Sequence, residues 1–206
     1  MDTMKNKFDI LEFLKTRSLS WSAISSFAWD NSQWHSRYIL GQKDETSSEM
    51  EFGKVIGEKL VSDPIFLPTV SRYPIFEQEL KCKLGKIPLV GYIDTFDLKN
   101  KKFREYKTSR NKNRWTQESA EIHGQISMYA LMIYLIYKIK PEDLTIHLDY
   151  IPTEQTGSFD IILANEPVQS FEVKKTMRDI LEFGVYIQKT VKEMQQYVIE
   201  YEAKRI

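Results

Sequence analysis

Cysteine is almost absent from this chain of 206 residues, which has only Cys82. A single cysteine excludes an internal disulfide and any metal cluster held by several cysteines. The sequence lacks the run of about 20 apolar residues that a membrane-spanning helix requires, and its first residues lack the apolar core of a signal peptide. No glycine-rich loop of the Walker type occurs, which excludes a nucleotide-driven motor. We therefore expect an intracellular, cytoplasmic protein without a membrane partner.

Net charge is also absent, because 29 basic residues balance 29 acidic ones. A neutral molecule has no bulk attraction to polyanions. The basic residues are nevertheless unevenly distributed, since eight of them lie between Lys99 and Arg114, where Glu105 is the only acid. Such a run is usually a solvated turn. Beside a site that cleaves phosphate esters, it would instead contact backbone phosphates.

The stretch from Val90 to Ser109, VGYIDTFDLKNKKFREYKTS, predicts a β-hairpin around a polar turn. Asp94 lies on the first arm, and Glu105 and Lys107 share one face of the second arm because they are two residues apart. Pairing of the arms would bring the two carboxylates together, as Mg²⁺ or Mn²⁺ prefers. Lys107 would then orient a water or neutralise a phosphoryl oxygen. The same residues are also typical of a solvated hairpin face with weak ion pairs.

Three motifs follow one another in this part of the chain. They are Gly91-Tyr92-Ile93-Asp94, then Glu105-Tyr106-Lys107-Thr108-Ser109, then Gln125 with Tyr129 on the next helix. In this order they resemble the PD-(D/E)XK nuclease superfamily, whose signature is a G-x-x-D strand, a D/E-x-K strand running into T-G or T-S, and a Q-x-x-x-Y helix. The closest branch is the RecB-like one, which includes CRISPR adaptation nucleases and stand-alone phage exonucleases. The match covers roughly residues 20 to 150 and is more specific than any single motif.

The resemblance implies metal-dependent hydrolysis of DNA phosphodiester bonds, with Mg²⁺ or Mn²⁺ as the cofactor. Asp94, Glu105 and the backbone carbonyl of Tyr106 would bind the metal. Lys107 would position the attacking water or polarise the scissile phosphate. Gln125 would help to hold the substrate in the active site.

Further substrate contacts are expected around this centre. Tyr129 would support Gln125 from the same helix face, since the two residues are four apart. The basic loop after the second arm would bind the DNA backbone through Arg110, Lys112 and Arg114. Trp115, at the end of this loop, either stacks on a base or covers the core. His123 lies on a different helix face from Gln125, and we expect it to be exposed.

Two features depart from the family pattern. Relatives carry G-x-x-x-H before the sheet, with the histidine reaching the metal, whereas here Gly53 is followed by Gly57 at the histidine position. The adjacent Glu58 would replace the histidine as a metal ligand, or it is a surface glutamate on an amphipathic helix. Several relatives also hold an iron–sulfur cluster on four cysteines. The corresponding residues 28–31 contain none, so we expect no iron–sulfur cluster.

Length and composition predict one globular domain over residues 1–206, since 42% of the residues are hydrophobic and 13% aromatic. The predicted helices and strands assemble into an α/β fold, a central mixed β-sheet flanked by helices with the active site at one sheet edge. The resemblance implies that this core is restriction-endonuclease-like. The chain divides into an N-terminal helical region (1–60), a catalytic core (74–164) and a C-terminal helical region (165–206). Periodicity predicts helices over 7–15, 21–41, 52–61, 116–139 and 168–205, and strands over 74–84, 89–98, 102–107, 144–150 and 159–163.

The substrate would be single- or double-stranded DNA, and we predict an exonuclease of prokaryotic or phage origin. Repair, phage recombination and CRISPR spacer processing all stay open as pathways, as does a homo-oligomer. One alternative is a nuclease-like fold kept only as a nucleic-acid-binding or assembly module, for which the departure at Gly57 leaves room. Another is an endonuclease or an RNA-directed enzyme. Metal titration separates the binding module from the enzyme, because a binding module would retain DNA affinity without Mg²⁺.

Overall fold

A six-stranded mixed sheet forms the centre of the protein, whose computed structural model describes residues 8–43, 51–55, 58, 70–111, 113–156 and 160–204. Strands β1 to β5 lie side by side in chain order, and β6 pairs with β4. The predicted α/β fold with a mixed sheet is confirmed. The strands are β1 (Ile75–Leu84), β2 (Ile87–Asp97), β3 (Lys102–Ser109), β4 (Thr145–Thr156), β5 (Asp160–Leu163) and β6 (Gln169–Val173).

The first three strands form an antiparallel meander that contains the predicted hairpin, and β3 then pairs with β4 in parallel. A parallel pair needs a crossover connection, which is helical here. On the side away from β3, β4 pairs with two strands in succession, because residues 146–150 pair with β6 and residues 153–156 pair with β5. The buried sheet residues include Ile93, Phe96 and Phe103, none of which is exposed to solvent.

Helices flank this sheet. The most buried helix, α5 (Gly124–Tyr137), packs against β1 and β2 and also against α6 (Met177–Ala203). Residues 51–55 are helical as well, and a π-helical turn, His35–Ile39, continues α3. The helices are α1 (Ile10–Thr16), α2 (Trp21–Trp29), α3 (Asn31–Trp34), α4 (Gln117–Glu121), α5 (Gly124–Tyr137) and α6 (Met177–Ala203).

The prediction of one continuous helix from Trp21 to near Gly41 is wrong, because the chain breaks at Asp30. This residue has extended backbone angles (φ −150°, ψ 105°). Its Oδ1 accepts hydrogen bonds from the backbone N–H groups of Ser32 at 2.8 Å and Gln33 at 3.0 Å. An aspartate that bonds nearby N–H groups in this way caps a new helix instead of continuing the old one.

The single helix predicted over residues 116–139 is also interrupted. A capping box of Thr116 and Ser119 starts α4, and α5 begins only after the extended residue His123. Ile122 is 77% exposed at the junction between the two helices. α5 itself is buried on several sides, with Ile126, Met128 and Met132 fully enclosed. A helix that is apolar all round belongs in the interior.

The C-terminal region is not wholly helical, contrary to the prediction for residues 168–205. Its first part forms β6, whose Phe171 and Val173 alternate with the exposed Ser170 and Glu172. α6 follows after a capping box of Thr176 and Asp179. Its buried side faces the core through residues at helical spacing, which are Ile180, Gly184, Ile187, Thr190, Val191, Met194 and Val198.

The N-terminal helices are hydrogen-bonded directly to the sheet. The Leu19 N–H donates to the Pro88 carbonyl at 2.9 Å, and the Val90 N–H donates to the Leu19 carbonyl at 3.0 Å. Leu19 therefore occupies the side of β2 that β3 leaves open, because β3 pairs only with residues 95–97. None of the helices in the described ranges is both long and apolar enough to cross a membrane.

Candidate active site

The candidate site lies where β2 separates from both of its neighbours. The pairing of β2 with β3 runs from Asp97 only as far as Thr95, and the pairing with β1 skips Asp94 and its counterpart Glu77. Glu77 has a left-handed backbone with φ 45°, which costs a non-glycine residue about 1–2 kcal/mol. Asp94 is therefore paired with neither β1 nor β3 in the regular strand register. Its Oδ2 accepts a hydrogen bond from the Tyr106 N–H at 2.6 Å, in place of a backbone carbonyl.

Lys107 connects β3 to α5. Its Nζ donates to Glu105 Oε1 at 2.6 Å and to Gln125 Oε1 at 2.7 Å. The Gln125 side-chain amide donates to the Tyr129 hydroxyl at 2.7 Å, and that hydroxyl donates to the Tyr92 carbonyl. A continuous chain of hydrogen bonds therefore orients the ammonium group relative to β2.

A close contact between Gly91 and Tyr129 joins the glycine motif of β2 to the glutamine–tyrosine motif of α5. A Cβ atom built on Gly91 would lie 2.7 Å from Tyr129 Cε1 and 3.4 Å from Met132 Sδ. Carbon atoms do not approach to 2.7 Å, so a larger residue on β2 would displace the tyrosine ring. Because the Tyr129 hydroxyl accepts a hydrogen bond from Gln125, Gly91 on β2 also determines where Gln125 lies.

The electrostatics of the site are set by two neighbouring carboxyl groups, those of Asp94 and Glu105. The carboxyl group of Asp94 is surrounded by protein, and this burial raises its pKa well above the ordinary value. The nearby charge of Glu105 raises the pKa of Asp94 further, while Lys107 and the Tyr106 N–H oppose the shift. Burial, followed by the charge of Glu105, likewise raises the pKa of the Tyr129 hydroxyl. Like charges held in one pocket favour protonation, or a bound cation, over two bare carboxylates.

The donor set fits a divalent metal ion. Glu105 is 2% exposed, and its Oε2 has no hydrogen-bond partner although it is buried. An orphaned carboxylate oxygen beside a second carboxylate is what a hard cation requires. The N–H and C=O of one strand residue point to the same side of the strand, so the Tyr106 carbonyl also points toward β2. No cluster of three or more His, Cys, Asp or Glu side chains suited to a metal occurs within the described residues. Water would therefore complete the coordination shell, as Mg²⁺ commonly allows.

The remaining predicted site residues belong to the helix before the sheet and to the basic segment after β3. Glu58 is exposed, and its Oε1 lies 4.0 Å from Lys54 Nζ; its metal role stays a prediction. Gly57 and Lys112 lie outside the described residues. Arg110 and Arg114 are exposed in the segment that follows β3, as a backbone-phosphate contact requires.

Two aromatic residues near the loop differ from the expectation. Trp115 is 9% exposed and its ring lies 5.1 Å from that of His123, so it covers the core and does not present a face for stacking. His123 is partly buried instead of exposed. Burial, and then the charges of Lys107, Lys175 and Arg114, lower its pKa to about 3.

Sequence reasoning missed two features of this region. Arg104 belongs to the basic run between Lys99 and Arg114 that we expect to contact phosphates, yet its Nη1 binds both oxygens of the buried Asp149 at 2.9 and 2.8 Å. The packing of Trp21 on Gly124, immediately before Gln125, was missed as well. A glycine directly before the motif glutamine was the available signal for a close contact.

Two solved structures share the fold. One is a protein from Eubacterium rectale provisionally named an exonuclease, with a TM-score of 0.56 and 12% identity over 95% of this chain and 87% of that one. The other is a phage-related exonuclease from Haemophilus somnus 129PT, with a TM-score of 0.51 and 11% identity over 90% and 83% of the two chains. No protein-family model matches the sequence, and no curated protein matches it. The nuclease-like fold that the three motifs indicated is confirmed.

Proposed function

We propose that the protein is a metal-dependent nuclease that hydrolyses DNA phosphodiester bonds, and that it acts as an exonuclease. The observation that carries the proposal is the pairing of the partly buried Asp94 with the buried Glu105, whose Oε2 is unsatisfied and whose Oε1 lies 2.6 Å from Lys107 Nζ. The fold shared with two structures named as exonucleases supports it.

Mg²⁺ or Mn²⁺ would bind Asp94, Glu105 and the Tyr106 carbonyl, and when bound it supplies charge neutralisation and a more acidic water. Lys107 has three N–H donors, two of which are occupied by Glu105 and Gln125. The third is free to donate to the attacking water or to an oxygen of the scissile phosphate. Gln125 keeps the ammonium group in this orientation, because Tyr129 and the Tyr92 carbonyl hold Gln125 in turn.

The basic segment after β3 supports a nucleic acid as the substrate, and DNA is the one we propose. Arg110 and Arg114 are exposed directly after β3, where they would contact backbone phosphates. Phosphate contacts position a strand without reading its sequence. We therefore expect cleavage with little sequence preference and strong inhibition by salt.

The direct test is degradation of linear and circular DNA, single- and double-stranded, with Mg²⁺, with Mn²⁺ and with chelator. An exonuclease degrades the linear forms only. Asp94→Asn and Lys107→Ala should abolish the reaction, whereas Glu79→Gln is the matched control. Glu79 is an exposed acid on β1 whose partners are Lys81 and Tyr92. Full activity of either site variant would remove that residue from the chemistry.

A binding or assembly module is the second candidate, because the described residues supply the metal with only two acidic side chains. Such a module would bind DNA equally well in chelator and in Mg²⁺, and it would leave every substrate intact. Retention of DNA on the Asp94→Asn protein without any cleavage by the wild type would favour this function over the nuclease.

A further inference from the structure

The start of α5 is held in an unusual way for this protein. Among the described residues, helices α1, α2, α3, α4 and α6 each have an N-cap side chain that accepts a backbone N–H. The N-cap residue of α5, His123, makes no such bond. Gln125, only two residues further, nevertheless places Oε1 2.7 Å from Lys107 Nζ. Because a helix end without a cap frays readily, another contact must fix this end.

That contact is the packing of an indole ring on a glycine. A Cβ atom built on Gly124 would lie 2.1 Å from Cη2, 2.4 Å from Cζ3 and 2.7 Å from Cζ2 of Trp21. These distances are far shorter than the 3.5–4.0 Å of ordinary carbon contacts. The ring therefore occupies the volume that any side chain at residue 124 would need.

Trp21 is itself firmly placed. It is the first residue of α2, whose N-cap Ser20 accepts the Ala23 N–H. Its ring lies 6.0 Å from that of Phe183 on α6 and 6.1 Å from that of His123. Three helices thus meet at this ring, and movement of Trp21 would require repacking of all three.

We infer that Trp21 is a positioning residue for the active site, acting through Gly124 on Gln125 and hence on Lys107. One turn beyond Gly124, the ring of Tyr129 packs on Gly91 of β2. Two contacts between an aromatic ring and a glycine therefore bracket Gln125 on both sides. A helix rises about 1.5 Å per residue, so a shift of one residue's rise would lengthen the 2.7 Å bond to Lys107 beyond hydrogen-bond range.

The consequence for catalysis rests on the proposed function, but the geometric consequence does not. The side-chain amide of Gln125 gives a signal in a ¹⁵N–¹H NMR spectrum, assigned by its loss in Gln125→Glu. This signal reports the bond to Tyr129 whether or not the protein cleaves DNA. A role confined to core packing would lower stability and leave this resonance in place.

The experiment compares Gly124→Ala, Trp21→Phe and the double variant. Gly124→Ala should move the Gln125 amide resonance toward that of an exposed glutamine and lower kcat about 10- to 100-fold, as misplacement by about an ångström does. A phenylalanine ring ends short of the three closest indole atoms. The double variant should therefore recover both the resonance and most of the activity.

Gly184→Ala is the matched control, because its added Cβ would lie 3.7 Å or more from its neighbours in the middle of α6. It should leave the Gln125 signal unchanged. The inference is overturned if folded Gly124→Ala keeps the wild-type resonance, or if the double variant fails to restore it. If Gly124→Ala does not fold, Trp21→Phe alone decides, since loosening the contact must shift the Gln125 signal. Absence of DNA cleavage by the wild type would refute the proposed function and leave the NMR result decisive.

Discussion

Strand β3 carries two ion pairs on its opposite faces, and they differ in how completely the acid is satisfied. On one face, Arg104 donates to both oxygens of Asp149, and the Ser170 hydroxyl donates to Asp149 Oδ1 at 2.6 Å. On the other, Lys107 donates to one oxygen of Glu105, and the second oxygen has no partner. Both acids are almost fully buried.

The difference separates a structural ion pair from a candidate binding site. A buried carboxylate with donors on both oxygens has no remaining capacity for a ligand, and its pair serves the fold. A buried carboxylate with an orphaned oxygen, pressed against the carboxyl of Asp94, is costly until a cation arrives. Sequence position does not distinguish the structural ion pair from the candidate site, because Arg104 of the first and Glu105 of the second are neighbouring residues.

The largest expected effect is loss of activity in Glu105→Gln. The neutral side chain retains its shape but loses the charge that would hold the metal, so kcat should fall about a thousandfold, as for loss of one strong transition-state contact. Stability without metal should change little, because a like charge beside Asp94 is also removed. Cleavage rates and urea unfolding measure the two effects. Near-wild-type cleavage by a folded Glu105→Gln protein would contradict the comparison.

Asp149→Asn should show the opposite profile. It leaves the Arg104 guanidinium in a buried position without its counter-charge, which costs about 3–5 kcal/mol of unfolding free energy. The folded fraction should keep a kcat within about twofold of wild type, since the pair faces away from Lys107. Urea unfolding and cleavage at low temperature, corrected for the folded fraction, test this. A catalytic defect in the folded variant would place Asp149 in the active site.

Metal binding should stabilise only one of the two faces. At about 100 times its dissociation constant, Mg²⁺ should raise the unfolding free energy by about 2.7 kcal/mol. Asp94→Asn should lose this gain, whereas Asp149→Asn should retain it on top of its lower baseline. Thermal unfolding with Mg²⁺ or with chelator measures the difference. Equal stabilisation of both variants would show that the ion binds elsewhere.

The smallest effect concerns pH. The pKa of His123 is lowered from 6.5 to about 3 by burial and three cations, so the folded protein binds fewer protons there than the unfolded chain. The stabilisation is therefore complete above pH 6.5 and decreases as pH falls from 6.5 toward 3. Between pH 7.5 and 5 this loss amounts to about 1–2 kcal/mol, and His123→Phe should abolish it. The pKa of His147 is also lowered by burial, but Asp149 and Glu172 oppose the shift. His147→Phe should consequently flatten the pH dependence less.

Local patterns predicted the acidic centre because its members are close in sequence. Strand alternation places Glu105 and Lys107 on one face, and the hairpin turn brings Asp94 opposite them. Helical spacing likewise places Gln125 and Tyr129 on one side of α5. These five residues meet in the structure, although their chemical roles stay predictions.

Contacts between distant parts of the chain could not be predicted in this way. Arg104 finds Asp149 45 residues later, and Trp21 meets Gly124 after about a hundred residues, so neither contact leaves a periodic signal. The left-handed backbone at Glu77 could not be predicted either, because this conformation is normally expected at glycine and residue 77 is a glutamate. The break at Asp30 had a readable signal, since aspartate followed by polar residues is a typical helix start.

The main-chain bonds of Leu19 determine how the molecule comes apart. Because Leu19 exchanges hydrogen bonds with Pro88 and Val90, α1 and α2 cannot detach without leaving an open strand edge. The unpaired N–H and C=O groups of an open strand edge form hydrogen bonds with strands of other molecules. A truncated protein that begins after α2 should therefore aggregate instead of persisting as a smaller enzyme. Proteolysis should cut the helices and the sheet at a common rate, as one cooperative unit.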